Sequence, residues 1–161
     1  MKIDLYLVHT KCKLEMVDFI SKYGHPFTDD TREKVGVIVY DTSGQLLMVQ
    51  GKGGKVSLPK GGRLRGETEL EGALREAWEE TGIDLEKLAY SGKIKLIWGT
   101  YFIYNLDVKA SDLNLRPQPG EVLKVVWKKP SSFWINEVAM LNCDLASYIR
   151  KISQPAYRLK K

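Results

Sequence analysis

Glu76, Glu79 and Glu80 lie within a 23-residue stretch, residues 61–83, that reads GGRLRGETELEGALREAWEETGI. On a helix turning about 100° per residue, these three acids fall within an arc of roughly 100°, beside an apolar stripe of Leu70, Ala73, Leu74 and Ala77. Like charges so placed repel, and divalent cations offset that cost. Hard oxygen ligands with room left for phosphates and water suit Mg²⁺ or Mn²⁺. Gly72 falls inside the acidic arc, one turn before Glu76, and its missing side chain reads as clearance for a bound species. The competing reading is a solvated acidic face, the ordinary meaning of three glutamates on one helix.

The helix that must carry these acids is marked at both ends. Thr68 is an N-cap and Glu71, three positions on, completes a capping box, while Gly82 supplies a left-handed stop. A helix over residues 68–81 follows.

The spacing goes further than a helix face. Gly61, Glu67 and then Arg75-Glu76-Ala77-Trp78-Glu79-Glu80-Thr81-Gly82-Ile83 match every fixed position of the Nudix box. The resemblance implies an α/β/α sandwich and a pyrophosphohydrolase that cleaves a nucleoside diphosphate linked to another group. It also implies metal binding by Glu76, Glu79, Glu80 and the backbone carbonyl of Gly61, with Arg75 pairing to Glu67 to lock the loop. Ala77 is a departure, since the family usually has a larger aliphatic residue there.

Outside the box, Leu58-Pro59-Lys60-Gly61 resembles the approach to the box in mRNA-decapping enzymes and diadenosine polyphosphate hydrolases. The run Glu121-Val122-Leu123-Lys124-Val125-Val126-Trp127 is similar to a strand of the decapping group. There the glutamate matching Glu121 is a base or a further ligand. Lys34 to Val39 and Leu47 to Gly51 carry the same likeness, which thus covers roughly residues 34–127. Val56 departs from it, standing where decapping enzymes tend to have tryptophan. The large helical regulatory domain of the cellular enzymes is also missing, which matches a compact decapping enzyme of the kind some large DNA viruses carry.

The chemistry of pyrophosphate cleavage sets the remaining expectations: Lys60 and Lys124 would stabilise charge on the phosphates, Arg63 would join them in binding substrate, and either Glu121 or Glu80 would take the proton of the attacking water. Arg75 and Glu67 are structural.

Around the box, the chain reads as strands and helices in mixed order. Residues 3–7 alternate as a short strand, and 13–23 carry Met16, Phe19, Ile20 and Tyr23 at helical spacing. This opening, residues 1–33, is an add-on to one Nudix domain spanning 1–161. Residues 35–40 and 46–50 form strands joined by the turn Asp41-Thr42-Ser43-Gly44, and 56–61 form a short strand that breaks at proline. Residues 94–108 form two strands parted at Gly99-Thr100. Alternation there sends Tyr101 and Ile103 to one face and Phe102, Tyr104 and Leu106 to the other. Some of these aromatics are core and one or two can stack on a base; alternation does not choose between them, and Tyr101 is taken as the substrate-binding candidate. A strand over 121–127, a helix over 136–152 and a basic end from 154 to 161 complete the chain. Strands on both sides of a helix, with a closing helix, give an α/β fold with a mixed β-sheet between helices.

Composition narrows the partners. With 25 Lys and Arg against 20 Asp and Glu, the net charge is +5 despite the acidic helix. Lys52, Lys55, Lys60, Arg63 and Arg65 flank the acidic site, so a polyanionic partner such as capped RNA or another polyphosphate is expected. The opening MKIDLYLVHTK has charges within its apolar run and no cleavage site, and no later run spans a bilayer, so a cytoplasmic or nuclear protein without a membrane partner is expected. Cys12 and Cys143 have no metal-ligand spacing and suit a reducing compartment. Three functions remain: an mRNA-decapping hydrolase, a hydrolase of diadenosine or diphosphoinositol polyphosphates, and a binding module that has kept the fold and lost catalysis.

Overall fold

The apolar run Val35–Val39 is buried at every position, which is what a strand covered on both faces requires. A computed structural model describes residues 33–120, 122–133 and 140–153. The expected strand at 3–7, the helix at 13–23, Glu121 and the basic end from 154 lie outside the described residues.

The order of elements is β1 (Lys34–Tyr40), β2 (Leu46–Gly51), β3 (Val56–Ser57), β4 (Lys60–Gly62), α1 (Glu69–Thr81), β5 (Gly92–Lys95), β6 (Gly99–Asn105), β7 (Val122–Lys128) and α2 (Cys143–Ser153). Short 3-10 turns sit at Ala110–Asp112 and Pro130–Ser132. The strands form one mixed sheet in the order β3-β2-β1-β6-β5, with β4 added to β1 and β7 to β2. β1 and β6 run parallel from Lys34↔Gly99 to Tyr40↔Asn105, and the crossover between them carries α1.

Each helix covers one face. Val35, Val37 and Val39 point to the α1 side with Ala73, Ala77, Phe102 and Tyr104. Ile38 and Tyr101 point to the other side, against Leu145, Ala146 and Ile149 of α2. The alternation read from 101–106 is therefore the one observed, and the result is an α/β/α sandwich.

Several boundaries differ from those expected. The run 56–61 is two strands rather than one, β3 pairing with β2 and β4 with β1, and the run 94–108 is β5 from Gly92 and β6 ending at Asn105. Gly99 and Thr100 belong to β6 rather than to the gap before it, because they pair with Lys34 and Val35 of β1. The last helix begins at Cys143, not at 136. The backbone just before it is engaged elsewhere: Val56 N donates to Met140 O at 2.7 Å and Asn142 N donates to Val56 O at 2.7 Å. Asn142 then starts the helix, its Oδ1 accepting from Asp144 N at 2.8 Å.

Candidate active site

The site is assembled where β4 meets α1. Thr68 caps α1 with a complete capping box, and Gly82, at φ 76°, ends it. Gly82 also lets the 112–120 loop close on the helix, since a Cβ there would lie 2.4 Å from Arg116 O. Nearby, Gln118 N satisfies the exposed carbonyl of Glu79 at 2.8 Å.

Arg75 is the hub. Its Nε lies 2.6 Å from Glu67 Oε1, and its Nη2 donates to Glu67 Oε2 at 3.1 Å and to Gly62 O at 3.0 Å. Its Nη1 bridges Glu76 Oε1 at 2.7 Å and Glu79 Oε2 at 3.1 Å. The Arg75 hydrogen bond holds the Glu67 carboxyl below its ordinary pKa against the opposing effect of burial, and Leu64 N adds to the effect at 2.8 Å. The same carboxylate raises the Arg75 guanidinium further above its already high value. The loop between β4 and α1 is thus tied to the helix through a bidentate ion pair.

Glu80 reaches the strand instead. Pro59 O accepts from Val37 N and Arg63 N donates to Glu33 O, so Lys60 occupies the intervening ladder position opposite Gly36. At such a position the N–H turns away from the partner strand and needs another acceptor. Glu80 Oε2 provides it at 2.9 Å.

Gly61 is bare for a steric reason. A Cβ on it would fall 2.0 to 2.2 Å from the carboxyl atoms of Glu76, so this carboxylate rests on the glycine backbone.

The three acids share the expected helix face but do not meet at one point. Among the described residues, no group of three acidic, histidine or cysteine side chains is close enough to hold one ion as placed. Arg75 is the reason, since it draws Glu76 and Glu79 to itself while Lys60 N takes Glu80. The donor chemistry nonetheless fits a divalent metal. A cationic nitrogen already stands between two carboxylates, Glu79 is 44% exposed, and all the side-chain donors are hard oxygens.

Gly72 does not provide the clearance expected of it. It is buried, and a Cβ would meet Val35 Cγ2 at 2.9 Å and Glu67 Oε2 at 3.1 Å. Its role is to seat α1 on β1 beside the Glu67 carboxylate.

Tyr101 is likewise no stacking platform. It is fully buried on the α2 side, and its hydroxyl donates to Asp144. Arg63 braces the loop, donating through Nη1 to Glu67 O at 3.0 Å and lying 3.4 Å from Glu33 Oε2. Lys124 is exposed on β7 opposite Gln50. Glu121 lies outside the described residues.

Sequence reading passed over Asp144. The only local hint was an acid flanking the apolar positions of the last helix, and nothing nearby in sequence showed what would surround it. It is completely buried, and it accepts hydrogen bonds from Trp98 N at 2.8 Å and from Tyr101.

The NUDIX domain model matches residues 30–145. An RNA pyrophosphohydrolase of Cereibacter sphaeroides is 37% identical over 79 residues, which is 47% of this chain and 48% of that protein. Nudix hydrolase 2 of Arabidopsis thaliana is 30% identical over 149 residues, covering 81% of this chain and 52% of the relative. The chain spans about half the length of these curated relatives. The fold is similar to that of an Ap4A hydrolase from C. elegans, with a TM-score of 0.58 and 20% identity over 80% of this chain and 99% of that one. Domain match, helix caps and the Glu67–Arg75 brace coincide on the same residues, and the chain belongs to the NUDIX domain family.

Proposed function

We propose that this protein is a divalent-metal-dependent pyrophosphohydrolase whose substrate is the 5′ end of RNA, most specifically the cap. The observation that carries this reading is the Pro59-Lys60-Gly61 approach: Lys60 lies on β4 next to Gly61, and its backbone N–H donates to Glu80 Oε2 at 2.9 Å, which supports a role for this lysine beside the glutamates. The RNA pyrophosphohydrolase likeness over 79 residues supports RNA as the substrate class.

Glu76, Glu79 and Glu80, with the Gly61 carbonyl, would hold Mg²⁺ or Mn²⁺. When bound, such an ion neutralises the phosphates and lowers the pKa of water. Lys60 and Lys124 contact the phosphate oxygens, with Lys52, Lys55 and Arg65 along the RNA backbone. Arg75 and Glu67 keep the loop in register with the helix. Glu121 or Glu80 accepts the proton of the water as its oxygen bonds to phosphorus and one bridging P–O bond breaks. On capped RNA the products are 7-methyl-GDP and a 5′-monophosphate RNA.

The second reading is hydrolysis of diadenosine or diphosphoinositol polyphosphates. It draws on the same lysine and on the basic residues flanking the box. A binding module without catalysis is disfavoured by the intact glutamate set.

A substrate panel decides among them: cap-labelled RNA, 5′-triphosphate RNA, diadenosine tetraphosphate and a diphosphoinositol, each with Mg²⁺ and with Mn²⁺. Release of 7-methyl-GDP is the expected result. Turnover of the small polyphosphates with both RNAs inert would install the second reading, and inertness toward the whole panel would leave only the binding module.

A further inference from the structure

A guanidinium carries five N–H donors in a rigid fork, and at Arg75 each of them has an acceptor. The fork is divided between two tasks. Nε and Nη2 serve the loop, through Glu67 Oε1 at 2.6 Å, Glu67 Oε2 at 3.1 Å and Gly62 O at 3.0 Å. Nη1 serves the helix, through Glu76 Oε1 at 2.7 Å and Glu79 Oε2 at 3.1 Å. No donor that braces the loop touches Glu76 or Glu79.

Glu76 and Glu79 are one helical turn apart, so their charges repel. Nη1 offsets that repulsion by taking one oxygen from each, with positive charge between them. The two acids differ in their freedom to leave it. Glu76 is 13% exposed and its carboxyl rests against the Gly61 backbone, whereas Glu79 is 44% exposed. Three carboxylates converge on this one guanidinium, so negative charge stays in excess and a further cation is still attracted. A divalent ion that takes both Glu76 and Glu79 competes with Nη1 for them, against two charge-assisted hydrogen bonds.

We infer that Arg75 is a built-in counter-cation of the acidic face: it lowers the affinity of Glu76 and Glu79 for Mg²⁺ or Mn²⁺, and metal binding displaces its Nη1 contacts while the loop brace stays in place. The inference rests on the assignment of Glu76 and Glu79 as metal ligands proposed above. Coupling of this kind is reciprocal, so whatever weakens the Nη1 contacts strengthens metal binding, and metal binding weakens the contacts. Arg75 thereby keeps two like charges in order at low metal concentration and sets the concentration at which the face loads.

The test uses the metal alone as probe, on the full chain. Mg²⁺ and Mn²⁺ affinities are measured by calorimetric titration of the wild type, R75M, E67Q and E79Q, beside melting curves in chelator and in saturating metal. R75M should bind metal about tenfold more tightly, the lower range for relieving competition from hydrogen bonds between charged groups. It should melt below the wild type in chelator, and metal should raise its melting temperature by more than it raises that of the wild type. E67Q weakens the brace and leaves Nη1 on the helix acids, so it should lose melting temperature without gaining metal affinity. If R75M does not fold, R75Q takes its place, since its amide can still donate to Glu67 but carries no charge.

Unchanged or weaker metal binding in R75M or R75Q, with E79Q impaired, overturns the counter-cation role and leaves the ligand assignment standing. Tightening in E67Q equal to that in R75M also overturns it, because a loosened loop would then explain the gain. If E79Q binds metal as the wild type does, the assignment of Glu79 falls, and the inference with it.

Discussion

Gly61 and Glu76 show how one backbone position sets the place of a carboxylate. A methyl at Gly61 would collide first with the carboxylate end of the Glu76 side chain, so G61A should fold with little change in melting temperature while driving Glu76 off its seat. Hydrolysis should fall about tenfold or more, read as kcat/KM beside a melting curve. Full activity in G61A would mean that Glu76 does not act from that seat. Glu79 is more exposed, and its link to the hub is one 3.1 Å contact with Arg75 Nη1. E79Q should therefore stay folded and lose metal-dependent hydrolysis by on the order of a hundredfold. Unchanged turnover would remove Glu79 from the metal ligands.

Among the elements, the β1–β2 turn is built on a single buried acid. Asp41 Oδ1 accepts from Ser43 N at 2.9 Å and Gln45 N at 2.8 Å, and Oδ2 accepts from Ala110 N at 2.9 Å. Burial alone would raise its pKa, but the donors from Ala110, Gln45 and Ser43 outweigh burial and bring it down to about 2. A carboxyl with a depressed folded pKa adds stability above its unfolded pKa of about 3.9, and loses that contribution as pH falls through the folded value. D41N should cost about 1.5 to 3 kcal/mol near pH 7, the range for hydrogen bonds to a charged group. The gap from wild type should narrow as pH drops from about 4 toward about 2, checked by denaturant titration across that window. A gap that stays constant with pH would show that the carboxylate charge is not what the turn uses.

Across the whole molecule, the net charge of +5 coexists with a concentrated acidic face, so the excess of positive charge lies away from α1. Lys52, Lys55, Arg65 and Lys124 are all exposed. If RNA runs over this surface, log affinity should fall linearly with log salt, at a slope near −0.7 for each phosphate neutralised on a single strand. Binding of a short single-stranded RNA between about 50 and 200 mM salt measures it. The double variant K52A/K55A should flatten the slope by about one or more if these lysines touch phosphates. An unchanged slope would move the RNA path to another face. No helix among the described residues is long and apolar enough to cross a membrane.

The sequence by itself determined what short-range physics controls. The limits of α1 follow from Thr68, Glu71 and Gly82, each acting within a turn of the helix end, and the shared face of Glu76, Glu79 and Glu80 follows from helical period alone. The β1–β2 turn and the sorting of Phe102 and Tyr104 from Tyr101 follow from turn chemistry and the period of a strand. Tertiary structure decided whatever depends on partners far away in the chain. Gly72 looked like clearance in a helix taken alone, but Val35 fills that space. Alternation fixed the face of Tyr101 but not its cover; α2, 43 residues on, buries the ring and supplies Asp144. The start of α2 was set by Val56, which pairs with the chain just before it. Local propensity has no knowledge of such contacts, and packing alone fixes which atoms they bring together.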